Sequence, residues 1–370
     1  MAKSRLHELS EQGVSVWIDS LSREMLETGE LARLMKEDAV VGVTSNPTIF
    51  QKALGTGDSY DGQMAELLKS EDDPTEIFLE LAMEDIRQAC DLMHPVWENT
   101  KHQDGYVSLE VDPTLAYERE ATFTQAMRLH TEVDKPNLLV KIPATKPGLG
   151  AIEDCIAKGK SINVTLIFSL QRYAAVAEAY VKGLERLVAA GGDPTKVASV
   201  ASFFVSRVDT EADRRLEEIG GQAASLSGKL AIANAKLAYE HWQKVFSGPR
   251  WEFLAGKGAT TQRCLWASTS TKNPDYRDVM YVEELIGPET VNTMPAETVV
   301  AFQDHGNVAP NTIAKGFDEA RELLEQLAEA GVDYGDVVET LEAEGVQKFA
   351  DSFDQLLDGI RAKRSELAAA

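Results

Sequence analysis

Eight short apolar segments recur along the chain: VSVWID (14–19), VVGVTSN (40–46), YVSLEV (106–111), LLVKIP (138–143), SINVTLIF (161–168), VASVASFFVS (197–206), RCLWAST (263–269) and VNTMP (291–295). Helical patterns fill the intervals between them. The clearest runs through Leu170, Tyr173, Ala177, Tyr180, Leu184 and Leu187 at alternating three- and four-residue spacing, and is stopped by Gly191, Gly192 and Pro194. Strand followed by helix, repeated, predicts parallel pairing, and eight such units predict an α/β fold, a (β/α)8 TIM barrel. A barrel of this kind needs only about 250 residues, so much of a 370-residue chain is surplus. Residues 47–105 and 207–262 are inter-strand insertions rich in helix formers. The C-terminal part, about 310–370, is a helical extension whose apolar stripe Phe317, Leu323, Leu324 and Leu327 ends at Gly331. No Pro- or Ser-rich linker divides the chain, so residues 1–370 are expected to form a single domain.

Strand residues in such a barrel alternate between the outer helices and the interior. In SINVTLIF the outward set is Ile162, Val164 and Leu166, which turns Ser161, Asn163 and Thr165 inward. In YVSLEV the outward set is Val107, Leu109 and Val111, leaving Ser108 and Glu110 inside. The same alternation directs Trp17 and Asp19, Thr44 and Asn46, Leu139 and Lys141, and Ser202 and Phe204 to the interior. The polar members lie toward the C-terminal ends of their strands, where barrel active sites are built. A network of core polar residues that merely satisfy one another is the bland alternative.

Lys141, in the middle of an apolar strand, carries the sharpest question, because a buried ammonium costs several kcal/mol unless it is paired or neutral. It is either a paired structural cation or a working amine. Surrounded by amides, hydroxyls and two carboxylates, a lysine suits carbonyl chemistry through a Schiff base, and Glu110 and Asp19 are the carboxylates placed to move the protons.

Composition narrows the field further. The formal charge is -23, which argues against nucleic acid as a partner, since phosphate backbones are bound through dense basic patches. Small anions remain open, because a few converging cations suffice for them. Cys90, Cys155 and Cys264 are far apart and the six histidines are scattered, so neither a disulfide framework nor a metal site is expected. No apolar run approaches the length of a membrane helix, and MAKSRLHELSEQG carries no export signal, so the expected location is the cytoplasm. KPGLGA (146–151) lacks the third glycine of a dinucleotide fingerprint, and AGKGAT (255–260) lacks the spacing of a P-loop; both read as turns or loops.

WIDSLSR, GVTSNPTIF, VSLEVDP, LLVKIPAT, INVTLIFS, ASFFVSRVD and ASTSTKNP, in this order from residue 14 to the region of 306, together resemble the transaldolase family. The resemblance is to the bacterial type of class I enzyme and implies a cofactor-free barrel without a metal. Such enzymes move a three-carbon dihydroxyacetone unit between sugar phosphates in the pentose phosphate pathway. By resemblance, Lys141 is the Schiff-base lysine, and Glu110, through a water near Thr165, handles protons during imine formation and breakdown. Asp19 takes the proton from the C4 hydroxyl. Asn46 and Asn163 hold the dihydroxyacetone hydroxyls, while Ser202 and Arg207 meet the sugar phosphate. Arg207 has a plainer alternative as a surface ion pair with Asp209. The second phosphate arginine of much of the family is missing from ASTSTKNPDY, where Lys272 is the nearest cation. Phe204, inward by alternation, either shapes the pocket wall or serves packing alone. The C-terminal region carries no catalytic motif and either caps the barrel or contacts a partner subunit, the chain being a monomer or homodimer. The rival readings are an aldolase that releases the three-carbon unit, a noncatalytic sugar phosphate-binding barrel, and a pyridoxal phosphate enzyme, for which no phosphate cradle is evident.

Overall fold

The computed structural model describes residues 4–55 and 57–369, and in these eight parallel strands close into a barrel. They are β1 (Val14–Ile18), β2 (Val40–Val43), β3 (Tyr106–Glu110), β4 (Leu138–Pro143), β5 (Ile162–Ile167), β6 (Ser199–Phe204), β7 (Arg263–Ala267) and β8 (Thr290–Met294). Each pairs with its neighbour in sequence, and β8 returns to β1. All eight apolar segments therefore form the predicted strands. The predicted limits overshoot mainly at the C-terminal ends, where Asp19, Thr44 to Asn46 and Ser268 begin the loops that rim the mouth.

The insertions are helical, as their composition requires. Pro47–Leu54, Asp61–Leu67 and Pro74–Asn99 lie between β2 and β3; Ser206–Ile219, Leu230–Val245 and Gly248–Ala255 lie between β6 and β7. Of the two glycine-bearing stretches, KPGLGA, expected as a turn, is instead the start of a helix. Gly148 sits in the first turn of the helix Lys146–Ala157, where an added Cβ would fall 2.2 Å from the Pro143 carbonyl oxygen. AGKGAT runs out of the helix Gly248–Ala255. Cys90, Cys155 and Cys264 are buried free thiols.

Trp17 does point inward, and it fits because β2 offers it a glycine: a Cβ at Gly42 would lie 2.4 Å from the indole. Its Nε1 donates to Asp104, which also pairs with Arg263 at 3.0 Å and accepts from Ser15 Oγ. This buried network fills the N-terminal end of the barrel and leaves the polar C-terminal ends facing the mouth.

The ladder slips at two places, between β1 and β2 at Val16/Trp17 and in β5, where the alternation also fails. Between Val164 and Ile167 the register with β6 slips by one residue, and Leu166 takes a left-handed backbone with φ of 58°. This bulge redirects Leu166, predicted to face the outer helices, toward the C-terminal helix Tyr334–Ala369, where a Cβ at Gly345 would approach its Cδ2 to 3.1 Å. That helix crosses the rim of the barrel. Phe353 packs edge-on against Phe78, itself edge-on to Phe50, Ser352 Oγ is 2.8 Å from Thr48 Oγ, and Glu342 pairs with Arg172 at 3.0 Å. The preceding helix, Phe317–Glu329, buries Leu323 and Leu327, two members of the predicted stripe.

Candidate active site

Parallel register brings the central residues to one level. Glu110 of β3 is the pairing partner of Lys141 of β4, which is the partner of Asn163 of β5, and all three point inward. Lys141 is 4% exposed, donates from Nζ to the Ser45 carbonyl oxygen at 3.1 Å, and lies 3.4 Å from Glu110 Oε2. The amine is thus paired, but by an ion contact without good hydrogen-bond geometry. Neither Glu110 oxygen accepts a hydrogen bond from the protein, and Thr165 Oγ is likewise buried without a partner. Burial pushes the Glu110 carboxyl up to about 7, although Lys141 and Arg207 pull it down; Asp19 adds to the rise. A carboxyl in that range can both give and take a proton near neutrality.

Above this layer opens a cavity of about 540 Å³. Of the ten residues singled out in the sequence, Asp19, Asn46, Lys141, Ser202, Phe204, Arg207 and Lys272 line it. Asp19 accepts from Thr44 Oγ at 2.7 Å. Asn46 caps the helix Pro47–Leu54, its Oδ1 accepting from Ile49 N at 3.0 Å, which directs the amide by local capping geometry. Glu110, Asn163 and Thr165 lie behind the wall. Asn163 is fully buried and already engaged: its Oδ1 accepts from Ser202 Oγ at 2.7 Å and its Nδ2 donates to Ser108 Oγ at 3.0 Å.

The cavity gathers cations in a strongly acidic chain. Lys52, Lys141, Arg207 and Lys272 line it together with Asp19, Glu24 and Glu297. Lys272 lies exposed at the rim and donates to Ser270 Oγ at 2.8 Å; partial desolvation is the main reason its ammonium sits below its ordinary range. Arg207 is not the surface partner of Asp209. Asp209 instead accepts from Ala231 N and Tyr281 OH inside the protein, whereas burial disfavours the charge of Arg207, whose Nη1 has no hydrogen-bond partner. A partly buried guanidinium that lines a cavity and has an unspent N–H group suits an anionic ligand.

A family model described as transaldolase/fructose-6-phosphate aldolase matches residues 16–360. The chain belongs to that family. It is 55% identical to the transaldolase of Parafrankia sp. (strain EAN1pec) over 365 residues, 98% of this chain and 99% of that one. It is 54% identical over 356 residues to the transaldolase of Frankia alni (strain DSM 45986 / CECT 9034 / ACN14a), covering 96% of each. The transaldolase of Thermobifida fusca (strain YX) is 51% identical over 358 residues, 96% of this chain and 97% of its own. Membership and these full-length relatives make the chain a transferase enzyme.

Strand parity could not find the cavity residues that come from helices and loops, Lys52, Glu297 and Phe349 among them. Phe349 comes from the C-terminal helix, lines the cavity, and places its ring 5.9 Å from Lys141 Nζ and 6.0 Å from the Arg207 guanidinium carbon. Its sequence surroundings, EGVQKFADSF, read as an ordinary amphipathic helix. The extension therefore reaches into the site. Among the described residues, no group of three or more His, Cys, Asp or Glu side chains is arranged to hold a metal ion, and no helix is long and apolar enough to cross a membrane.

Proposed function

We propose that the enzyme transfers a dihydroxyacetone unit from fructose 6-phosphate or sedoheptulose 7-phosphate to glyceraldehyde 3-phosphate or erythrose 4-phosphate, through a Schiff base on Lys141. The observation that carries this reading is a buried amine held between the Ser45 carbonyl and Glu110 at the floor of a cation-lined cavity. The free amine of Lys141 attacks the C2 carbonyl of the ketose. Loss of water from the carbinolamine gives the iminium, with Glu110 supplying and recovering protons beside Thr165. Asp19 takes the proton of the C4 hydroxyl as the C3–C4 bond breaks, and its electron pair flows into the iminium to leave an enamine. The aldose departs. Asn46 and Asn163 hold the bound three-carbon unit until an acceptor aldehyde arrives, after which the same steps run in reverse and water releases the new ketose. Ser202 and Arg207, with Lys272 at the rim, meet the substrate phosphate, and Phe204 forms the wall beside the iminium.

Transfer is favoured over release of free dihydroxyacetone by the full-length relatives, all of which carry the name transaldolase. This reading carries with it a cytoplasmic enzyme of the non-oxidative pentose phosphate pathway, needing no cofactor, metal, nucleic acid or membrane. It also takes residues 1–370 as one domain, working as a monomer or homodimer. The test is intact-mass measurement after borohydride reduction with fructose 6-phosphate, followed by peptide mapping. The expected result is one reduced dihydroxyacetone adduct on the peptide containing Lys141, with turnover that depends on an aldose acceptor. An active enzyme without the adduct overturns the covalent mechanism; rapid release without acceptor makes it an aldolase.

A further inference from the structure

Arg207 is partly buried, with its Nη1 shut away from solvent, yet among the described residues it has no carboxylate partner at ion-pair distance. What surrounds it is aromatic. Its guanidinium carbon lies 5.0 Å from the ring centroid of Phe204 and 6.0 Å from that of Phe349. The same Phe349 ring is 5.9 Å from Lys141 Nζ. Phe204 comes from the end of β6, three residues before Arg207, so its contact is local. Phe349 comes from the C-terminal helix, which is anchored over the mouth by Phe353 on Phe78 and by Gly345 on the β5 bulge.

The chemistry of this arrangement is specific. A carboxylate beside Arg207 would hold it in place but would also consume its hydrogen-bond donors and cancel its charge toward a ligand. An aromatic face attracts the cation through the ring quadrupole and leaves the edge of the guanidinium, where the N–H groups are, unspent. Arg207 Nη1 is indeed buried without an acceptor. We infer that Phe349 is a positioning residue for substrate binding: its ring holds the Arg207 guanidinium in place for the substrate phosphate, so the C-terminal helix is part of the anion site and not only a cap. This rests on the proposed function, in which Arg207 meets the phosphate.

The test compares Phe349→Leu, Phe349→Tyr and Arg207→Met with the parent enzyme, reading KM and kcat for fructose 6-phosphate and the inhibition constant of inorganic phosphate. A cation–π contact in a desolvated site corresponds to about a 5- to 30-fold effect. Phe349→Leu should raise both the KM and the phosphate inhibition constant by about that factor, with kcat changed less than about threefold. Phe349→Tyr, which keeps the ring, should return both to within about twofold of the parent. If Phe349→Leu loses its melting transition, Phe349→Met, which fills a similar volume without a π face, takes its place. Unchanged phosphate inhibition in the Phe349 variants, while Arg207→Met weakens it, overturns the inference and leaves the functional reading standing. If Arg207→Met also leaves phosphate inhibition unchanged, Arg207 is not the phosphate ligand and the inference falls with that assignment, while the Schiff-base reading stands or falls by its own adduct test. A loss confined to kcat overturns it too, because the ring would then serve Lys141 alone.

Discussion

Replacing Lys141 by methionine separates a working amine from a structural cation. The substitution removes the hydrogen bond to the Ser45 carbonyl, a net loss of about 0.5–1.5 kcal/mol, and the 3.4 Å contact to Glu110. Removing one member of a buried pair usually costs about 3–5 kcal/mol, because a charge is left uncompensated. Here it should cost less. The Glu110 carboxyl already sits at about 7 in the presence of the lysine, so neutralising it at pH 7 takes less than about 1 kcal/mol. Methionine also fills most of the lysine volume with apolar atoms. The net destabilisation at pH 7 is then under about 2 kcal/mol, a fall in Tm of a few degrees for a chain of this size. Turnover of fructose 6-phosphate with erythrose 4-phosphate should drop on the order of 10⁴-fold or more, because the nucleophile is gone. The sign of the pH dependence gives a second check. Glu110 is raised above its ordinary 4.5, so the folded chain binds its proton more tightly than the unfolded chain. Its contribution to stability is full below about pH 4.5 and is lost as pH rises through about 7. Without Lys141, which lowers that value, the loss should continue to higher pH, so calorimetry at pH 6 and pH 8.5 should show a steeper fall in the variant than in the parent. Turnover within tenfold of the parent would refute the Schiff-base role, and a variant that fails to fold at pH 6 would make Lys141 a structural cation.

Three further outcomes are expected. Glu110→Gln should lower kcat by about 10²–10⁴-fold and flatten the limb near pH 7 in kcat/KM that the raised Glu110 carboxyl predicts; a limb that persists unchanged assigns it to other groups. Asp209 is pushed up to about 7, chiefly by burial, so its contribution to stability is present below its ordinary 3.8 and disappears as pH rises through about 7. Asp209→Asn should flatten the fall in Tm across that window, and an unaltered slope counts against the assignment. Gly42→Ala would drive a Cβ to 2.4 Å from Trp17 and should cost about 3 kcal/mol in denaturant unfolding, because the indole is enclosed inside the barrel; a cost below about 1 kcal/mol would mean that Trp17 has room to move.

Much of the site was legible because two regularities compose. Period-two alternation tells which strand residues face inward, and the barrel rule tells which strand ends face the mouth. Lys141, Glu110 and Asn163 were therefore picked out together, and parallel register does bring them to one level. What alternation cannot say is how deep each residue sits. Asn163 and Ser202 have the same parity and even share a hydrogen bond, yet only Ser202 reaches the cavity wall. The Arg207–Asp209 pairing, plausible two positions apart, fails because residues two apart on a helix point in different directions. Here one turns toward the cavity and the other toward Tyr281.

Strand identity, the count of eight, most of the inward set and the buried lysine among them were determined by the sequence alone, since each depends on neighbours a few residues away and on backbone periodicity. Only the tertiary structure decided the rest. The bulge at Leu166 is a register slip between strands and leaves no mark in the apolar pattern. The proton affinity of Glu110 is set by burial and by Lys141, Asp19 and Arg207, which arrive on a strand, a loop and a helix. Phe349 meets Lys141 and Arg207 only because the last helix packs back over the mouth of the barrel. Local pattern says which face a side chain takes; long-range packing decides what it meets there.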